Sequence, residues 1–166
     1  MKQHEIVRQL TYGMVGGAIG TIVMEQLATL IYRFEDPKKK KQEEEIRKES
    51  PYDTMARRIA NDILRVHLSD EDIRLLGQLL HWGYGIGWGA IYGLMRDRIP
   101  AVRKAAGLPF GIVFSLIGDE ALNTALKLTP PPQAYPIDSH IRGLVAHIVY
   151  TATAEGVIRT LERVAA

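Results

Sequence analysis

The feature that most restricts the fold is the stretch LLHWGYGIGWGAIYGLM at residues 79–95. It holds no charged residue and five glycines, in a chain in which 24% of residues are charged. In water, each glycine in a helix costs about 1 kcal/mol relative to alanine. In a bilayer, helix is enforced because the backbone must satisfy its own hydrogen bonds, and small residues let helices approach closely. The stretch therefore predicts a membrane-spanning helix.

The mean hydropathy of −0.06 hides two populations of residues. Residues 33–74 hold 22 charged residues, and the rest of the chain is mostly apolar. The absence of cysteine excludes disulfides and thiolate metal sites, and the net charge of +2 is too small to indicate a nucleic-acid partner. We therefore predict an all-α fold, a single polytopic membrane domain over residues 1–166 with the lipid bilayer as its main partner.

Four apolar segments are each about as long as the ~20 residues that a helix needs to cross ~30 Å of hydrocarbon. The predicted spans are residues 10–32, 79–95, 105–126 and 141–161. Ser69 and Asp72 form a capping pattern, so the helix that contains the second span should begin near Asp70 and end near Arg98. Together the spans predict a four-helix transmembrane bundle.

The charged residues 33–74 predict an extramembrane segment between the first two spans. Its block KKKKQEEE is interpreted as a solvated linker or charged helix. Ser50, Pro51 and Asp53 form a helix start, followed by an apolar stripe from Met55 to Val66. We expect an amphipathic helix over residues 51–67 that either lies on the lipid interface or packs across one end of the bundle.

Glycines recur in the first three spans at spacings that let membrane helices pack closely. The predicted packing glycines are Gly13, Gly16, Gly17, Gly20, Gly83, Gly85, Gly87, Gly89, Gly93, Gly107 and Gly111.

Each span also carries an ionisable group at a similar depth. Counting 1.5 Å per residue from the centre of each span places these groups about 5 to 6 Å from the midplane, on the side of the charged segment. The predicted buried polar cluster consists of Glu25, His81, Asp119, Glu120, Asn123 and His147. Tyr150 and Glu155 are secondary candidates in the fourth span, and Glu155 falls on the opposite side of the midplane.

Arginine occurs in the spans only near the two ends of the fourth, at Arg142 and Arg159, so the acids of the cluster are expected to be neutralised by protonation, by imidazolium or by a bound cation. Glu25, His81, Glu120 and His147 are candidate metal ligands, although the E-x-x-H spacing of four-helix di-iron sites is absent. His81 and His147 could instead ligate a haem, or the cluster could respond to protons.

No catalytic residue is predicted, since no hydrolase, Walker or dinucleotide-binding motif is present. The leading hypothesis is a non-enzymatic membrane protein with an internal His/carboxylate site, which could be a homo-oligomer or a small subunit of a larger membrane complex. Two alternatives remain open: a metal- or haem-binding membrane oxidoreductase subunit, and a soluble helical bundle.

The C-terminal third carries a resemblance to a known family. The motifs are LTPP at residues 128–131, AHIVY at residues 146–150, and Glu155 with Arg159. With His81, Glu25 and SPYD at residues 50–53, the chain is similar to the YagU-like inner-membrane proteins of bacteria, a family of uncharacterised function. The resemblance implies a multi-pass protein of the bacterial inner (cytoplasmic) membrane.

The loop RDRIPAVRK at residues 96–104 carries four basic residues, whereas the proline-rich turn after the third span carries almost none. By the positive-inside rule this loop and both termini are expected to be cytoplasmic.

Overall fold

The fold is known from a computed structural model that describes residues 3–165, and it is all-helical. The α-helices are α1 (Gln3–Phe34), α2 (Pro37–Ile46), α3 (Pro51–Arg58), α4 (Asp70–Met95), α5 (Leu108–Val113), α6 (Leu122–Ala125) and α7 (Ile137–Val164). Two π-helical segments follow α3 and α5 without a break, Ile59–Leu64 and Phe114–Ala121, and short 3₁₀ turns lie at Lys104–Gly107 and Pro132–Ala134. The described residues contain no strand, so the predicted all-α fold class is confirmed.

The predicted capping patterns place α3 and α4 correctly. Ser50 caps α3 by accepting a hydrogen bond from the backbone N–H of Asp53, and Ser69 does the same for α4 with Asp72. Each cap satisfies a backbone donor that the first helical turn leaves without a partner. The helix that contains the glycine-rich stretch therefore begins at Asp70, as predicted, and ends at Met95.

The third long helix, which consists of α5, the π-helical segment Phe114–Ala121 and α6, differs from the prediction of one regular span over residues 105–126. Ala105, Ala106 and Gly107 all have positive φ, so the helix begins only at Leu108, with Pro109 in its first turn. Its middle, from Phe114 to Ala121, is π-helical.

The helix α1 lies at the centre of the bundle and packs against both α4 and α7. On α4, Gly85, Gly89 and Gly93 face α1, where Gly13 and Gly17 leave room for backbone-to-backbone contact. Gly16 and Gly20 face α7, at Ala154 and Tyr150. Gly107 and Gly111 lie against Thr151 of α7, which brings the third long helix onto the same face.

Gly83 and Gly87 are exceptions among the predicted packing glycines. A Cβ atom added to either would meet nothing within 4 Å, because these two residues lie on the side of α4 opposite to α1. The prediction that they pack against another helix of the chain is therefore wrong.

The charged block is not a solvated linker, because α2 docks onto the bundle. Glu43 is 3% exposed and accepts hydrogen bonds from Arg142 of α7 at 2.7 Å and from Ser139 at 2.7 Å. Arg142 also contacts Glu35, which follows α1, at 2.6 Å. Of the two interpretations of this block, the charged helix agrees with the structure and the solvated linker does not, because α2 covers one end of the bundle through charged contacts.

The helix α3 packs across the same end. Ala56 and Ala60 are fully buried against Ile73 of α4. Arg58 donates hydrogen bonds at 2.6 Å to the backbone carbonyls of Leu126 and Lys127 at the end of the third long helix. α2 and α3 together form a cover over this end of the bundle.

By length and composition, two helices of the described chain are apolar enough to cross a membrane, Gln3–Phe34 and Lys104–Ala125. The helices α4 and α7 have the length but include more polar residues, such as the acidic first turn of α4 and Glu155 with Arg159 in α7.

Candidate functional site

Two adjoining cavities lie beneath the cover formed by α2 and α3. The larger, of about 1050 Å³, lies between α3 and α4, and the smaller, of about 300 Å³, lies between α2 and the start of α7. Both are lined by Met24, Arg47, Pro51, Asp119 and His147. The cavities therefore meet at two of the predicted site residues.

Glu25 and His81 lie in the larger cavity, on α1 and α4. His81 Nε2 is 2.9 Å from Glu25 Oε1, although the two groups are not aligned as a hydrogen bond and Nε2 has no such partner among the described residues. The ring of Tyr52 from α3 packs edge-on to the His81 ring at 4.6 Å. Burial raises the pKa of Tyr52, with a further contribution from Asp119, so this hydroxyl stays neutral. The contact between Glu25 and His81 thus joins α1 and α4 beneath the cover.

Asp119 lies between the two cavities, on the π-helical segment of the third long helix. Its carboxylate accepts a hydrogen bond from the Asn123 side chain at 2.8 Å, and it makes no ion pair within residues 3–165. The widened turn leaves the carbonyl of Gly118 available, and the Tyr84 hydroxyl donates a hydrogen bond to it. π-Helical turns inside α-helices are frequent at functional sites.

His147 lines both cavities but is itself 6% exposed. Its Nδ1 lies 2.7 Å from the carbonyl of Gly143, so Nδ1 carries the hydrogen and donates it. The ring of Phe114 packs edge-on against it at 4.5 Å. The ring orientation of His147 is thus fixed by its own helix and by one aromatic neighbour.

Glu120 points into the smaller cavity, where it contacts a histidine that the sequence analysis did not select. His140 Nδ1 is 2.7 Å from Glu120 Oε1, and His140 Nε2 is 3.0 Å from the carbonyl of Pro132. Both ring nitrogens therefore face acceptors. Only a ring that carries hydrogen on both nitrogens satisfies both contacts, unless the carboxyl group itself holds the proton.

The predicted cluster is therefore divided between the two cavities. Glu25 and His81 are in contact, Asp119 and Asn123 are in contact, and Glu120 pairs with His140 instead. Within residues 3–165, no group of three or more His, Asp or Glu residues could hold a metal ion. The four candidate metal ligands Glu25, His81, Glu120 and His147 are thus not brought together as a ligand set.

The two secondary candidates lie nearer the opposite end of the bundle. Tyr150 is fully buried, and its hydroxyl donates to the carbonyl of Gly85 at 2.5 Å, which ties α7 to α4. Glu155 is 1% exposed and accepts hydrogen bonds from Tyr92 at 2.7 Å and Arg96 at 2.8 Å. The Glu155 carboxylate also accepts from Arg159 at 2.6 Å. These contacts make Glu155 part of a closed ionic network.

Sequence reasoning missed two arginines that hold the ends of the bundle, Arg96, which is buried, and Arg142, whose side chain is 11% exposed. The opposite depth of Glu155 was a usable signal for Arg96, because Arg96 follows the second span on that same side. No comparable signal marked Arg142, whose partner Glu43 lies in a block of similar charges 99 residues away.

The comparison with family models finds one match, to the family described as "Protein of unknown function (DUF1440)", over residues 37–156. The matched region begins at α2 and ends within α7, so it includes the cover, the pair His140 and Glu120, and Glu155. Of the other histidine–carboxylate pair it includes His81 but not Glu25. Neither a curated protein nor a solved structure matches the chain.

Proposed function

Because the chain belongs to the DUF1440 family, whose function is unknown, we propose a role from the geometry of its cavities. The protein is a non-enzymatic, four-span protein of the bacterial inner membrane whose histidine–carboxylate cavities bind protons. The resemblance to YagU-like proteins supports the choice of membrane. The basic loop between α4 and α5 supports an orientation with this loop and both termini in the cytoplasm.

The exposed surface of the four long helices supports four spans. Each helix turns large apolar side chains outward, where a water-soluble bundle would carry polar ones. The exposed residues include Val15, Ile19 and Ile22 on α1, Leu79 and Ile91 on α4, Leu116 and Ile117 on the third helix, and Ile141 and Val145 on α7. This surface argues against the soluble-bundle alternative.

The observation that carries the proton-binding proposal is a histidine–carboxylate contact in each cavity. His81 lies 2.9 Å from Glu25, and His140 lies 2.7 Å from Glu120. Imidazole is the side chain whose charge ordinarily changes between pH 5 and pH 8. A proton taken up at His81 converts its contact with Glu25 into an ion pair, and the contacts of His140 with Glu120 and Pro132 are satisfied together only when the pair holds a proton.

A proton bound in the larger cavity acts on the cover, because the cover forms one wall. The ring of Tyr52 packs on His81, and Asp53 of the same helix lines the cavity. Protonation changes the charge that faces α3 and thereby the strength of its docking on α4. We infer that the cavities couple the pH on that side of the membrane to the packing of the cover.

A double-mutant cycle between Glu25→Gln and His81→Asn tests the proposal. The free energy of unfolding in detergent is measured for the four proteins at pH 5.5 and at pH 8. We expect a coupling energy of about 1 kcal/mol at pH 5.5, because acid favours the proposed ion pair, and less than half of that at pH 8.

The matched control is a cycle between Glu71→Gln and His81→Asn. Glu71 lines the same cavity but makes no ion pair with His81, so we expect no coupling at either pH. A Glu25–His81 coupling that is the same at both pH values would contradict proton binding at this contact.

A second candidate role is that of a small subunit in a homo-oligomer or a larger membrane complex. Gly83 and Gly87 support it, because they present an open face on α4 at the spacing at which membrane helices pack. The metal- or haem-binding alternative gains no comparable support, since the candidate ligands are divided between two cavities.

A further inference from the structure

The segment between α3 and α4, residues 59–68, exposes apolar side chains outside the bundle. Ile63 is 71% exposed and Leu64 is 60% exposed, and Val66 and Leu68 are also exposed. The sequence pattern placed Ile63 and Val66 on the packed stripe of one amphipathic helix. The π-helical turn from Ile59 to Leu64 breaks that register, and the residues of this part of the chain that pack on the bundle are Ala56 and Ala60.

The segment is packed on the bundle at its first end and has an ordered backbone as far as Val66. Ala60 is fully buried against Ile73, and the backbone N–H of Val66 donates to the carbonyl of Ala60 at 2.9 Å. Arg65 adopts the left-handed conformation that closes this helical end. Ile63 and Leu64 are therefore held outward by ordered backbone.

The segment begins beside the exposed apolar surface of α4 and of the third long helix. Arg58, one residue before the segment, donates to the carbonyls of Leu126 and Lys127, where the third long helix ends. Leu122 and Leu126 of that helix and Leu75 and Leu79 of α4 are exposed nearby. Leu79, Leu122 and Leu126 also line an apolar groove shared with Tyr52 and Met55 of α3. The apolar surface thus continues from the spans to the base of this segment.

We propose that residues 59–68 form an interfacial anchor, which inserts Ile63 and Leu64 into the boundary between the headgroups and the acyl chains of the bilayer. Arg65 belongs to the segment and Lys127 is in contact with Arg58 just before it, so in this proposal their cationic groups meet the lipid phosphates, as is usual for basic residues at a membrane interface. This inference rests on the proposed four-span arrangement. It assigns α3 to the bundle and the segment after it to the lipid.

The absence of cysteine allows single-cysteine variants of the full-length protein to carry a spin label. Ile63→Cys reports on the anchor, Asn61→Cys is an exposed polar control in the same segment, and Ile19→Cys is an exposed position on α1. Each labelled protein is placed in phosphatidylcholine nanodiscs, and its collisions with oxygen and with a water-soluble nickel chelate are measured.

We expect labels at residues 63 and 19 to collide often with oxygen and rarely with the nickel chelate, and the label at residue 61 to show the reverse. Equal nickel accessibility at residues 63 and 61, with residue 19 still in lipid, would overturn the anchor and leave the spans intact. Low accessibility to both reagents at residue 63 would mean that a second copy covers it, which also overturns the anchor. Nickel access at residue 19 would overturn the membrane arrangement itself.

Discussion

At the scale of single residues, Glu43 is a buried carboxylate in a block of charged residues that is typical of a protein surface. The carboxylate is taken out of water, which by itself would raise its pKa. Hydrogen bonds from Arg142 and Ser139 outweigh that effect, and the pKa of Glu43 is lowered below its ordinary value of 4.5. The ionised carboxylate therefore stabilises the docked position of α2.

The sign of the pH dependence follows from this lowered pKa. The stabilisation is fully present above pH 4.5 and is lost as the pH falls through the lower value of the folded protein. We expect Glu43→Gln to lower the free energy of unfolding by about 2 kcal/mol at pH 7, because it removes charged hydrogen bonds to Arg142. The deficit should shrink below pH 4.5. Unfolding in detergent, measured from pH 7 to pH 3, checks both expectations.

Glu45→Gln is the control for this experiment, since Glu45 is in the same helix and is exposed, with only a 3.9 Å contact to Lys41. Its effect should be near zero throughout. A Glu43→Gln deficit that persists unchanged to pH 3 would contradict the lowered pKa.

Other single residues show where sequence reasoning reaches its limit. Glu25 and His81 were grouped by depth alone, and they are in contact. His140 was missed because it follows a proline-rich turn, whose path no periodicity describes. Depth along a helix can be counted from the sequence, whereas the side of the helix on which a group lies depends on how the helices pack.

At the scale of elements, the five glycines of the stretch at residues 79–95 of α4 form two sets with the same i, i+4 spacing. One set, Gly85, Gly89 and Gly93, meets α1, and the other, Gly83 and Gly87, faces open space. The sequence predicts that a helix packs closely on α4, and this is observed. The sequence does not show which of the two sets meets α1, because both sets have the same spacing and only the packed position of α1 distinguishes them.

The two sets allow a matched pair of substitutions. We expect Gly89→Ala to lower the free energy of unfolding by about 1 to 3 kcal/mol, because its Cβ would collide with the backbone of Gly13 and Gly17. Gly87→Ala should be neutral or raise it by up to about 1 kcal/mol, through alanine's better helix propensity. Thermal unfolding of both variants in detergent measures the difference.

If Gly87→Ala destabilised the protein as much as Gly89→Ala, the result would contradict the expectation that Gly87 faces open space. It would instead indicate that a second protein covers Gly87, which is the oligomeric role considered above.

The third long helix shows a different limit at this scale. The sequence does not predict its π-helical middle, because local periodicity does not describe contacts between helices. One such contact is the hydrogen bond from Tyr84 of α4 to the carbonyl of Gly118 in the widened turn. That widened turn carries Asp119 and Glu120, which face adjoining cavities. A feature that positions two predicted site residues thus depends on a partner helix 34 residues earlier in the chain.

At the scale of the whole molecule, composition separates α1 and the third helix from α4 and α7. Only the first pair is apolar enough to qualify as spans by composition among the described helices. Yet α4 and α7 pack along the same bundle, and the polar residues Glu155 and His147 of α7 are buried in it. The side chains that both helices expose include large apolar ones, which is the physical basis of the four-span proposal: Leu79 and Ile91 on α4, and Ile141 and Val145 on α7.

The four-span proposal is tested most directly by labelling single cysteines at residues 42 and 101 with a membrane-impermeant thiol reagent. Gln42 and Ala101 are exposed, on α2 and in the loop after α4. Labelling is compared in intact cells whose outer membrane is permeabilised and in inverted inner-membrane vesicles. With four spans, we expect residue 42 to react only in the cells and residue 101 only in the inverted vesicles. If α4 did not cross, as when only α1 and the third helix span the membrane, both residues would react from the same side, and this result would contradict the four-span bundle.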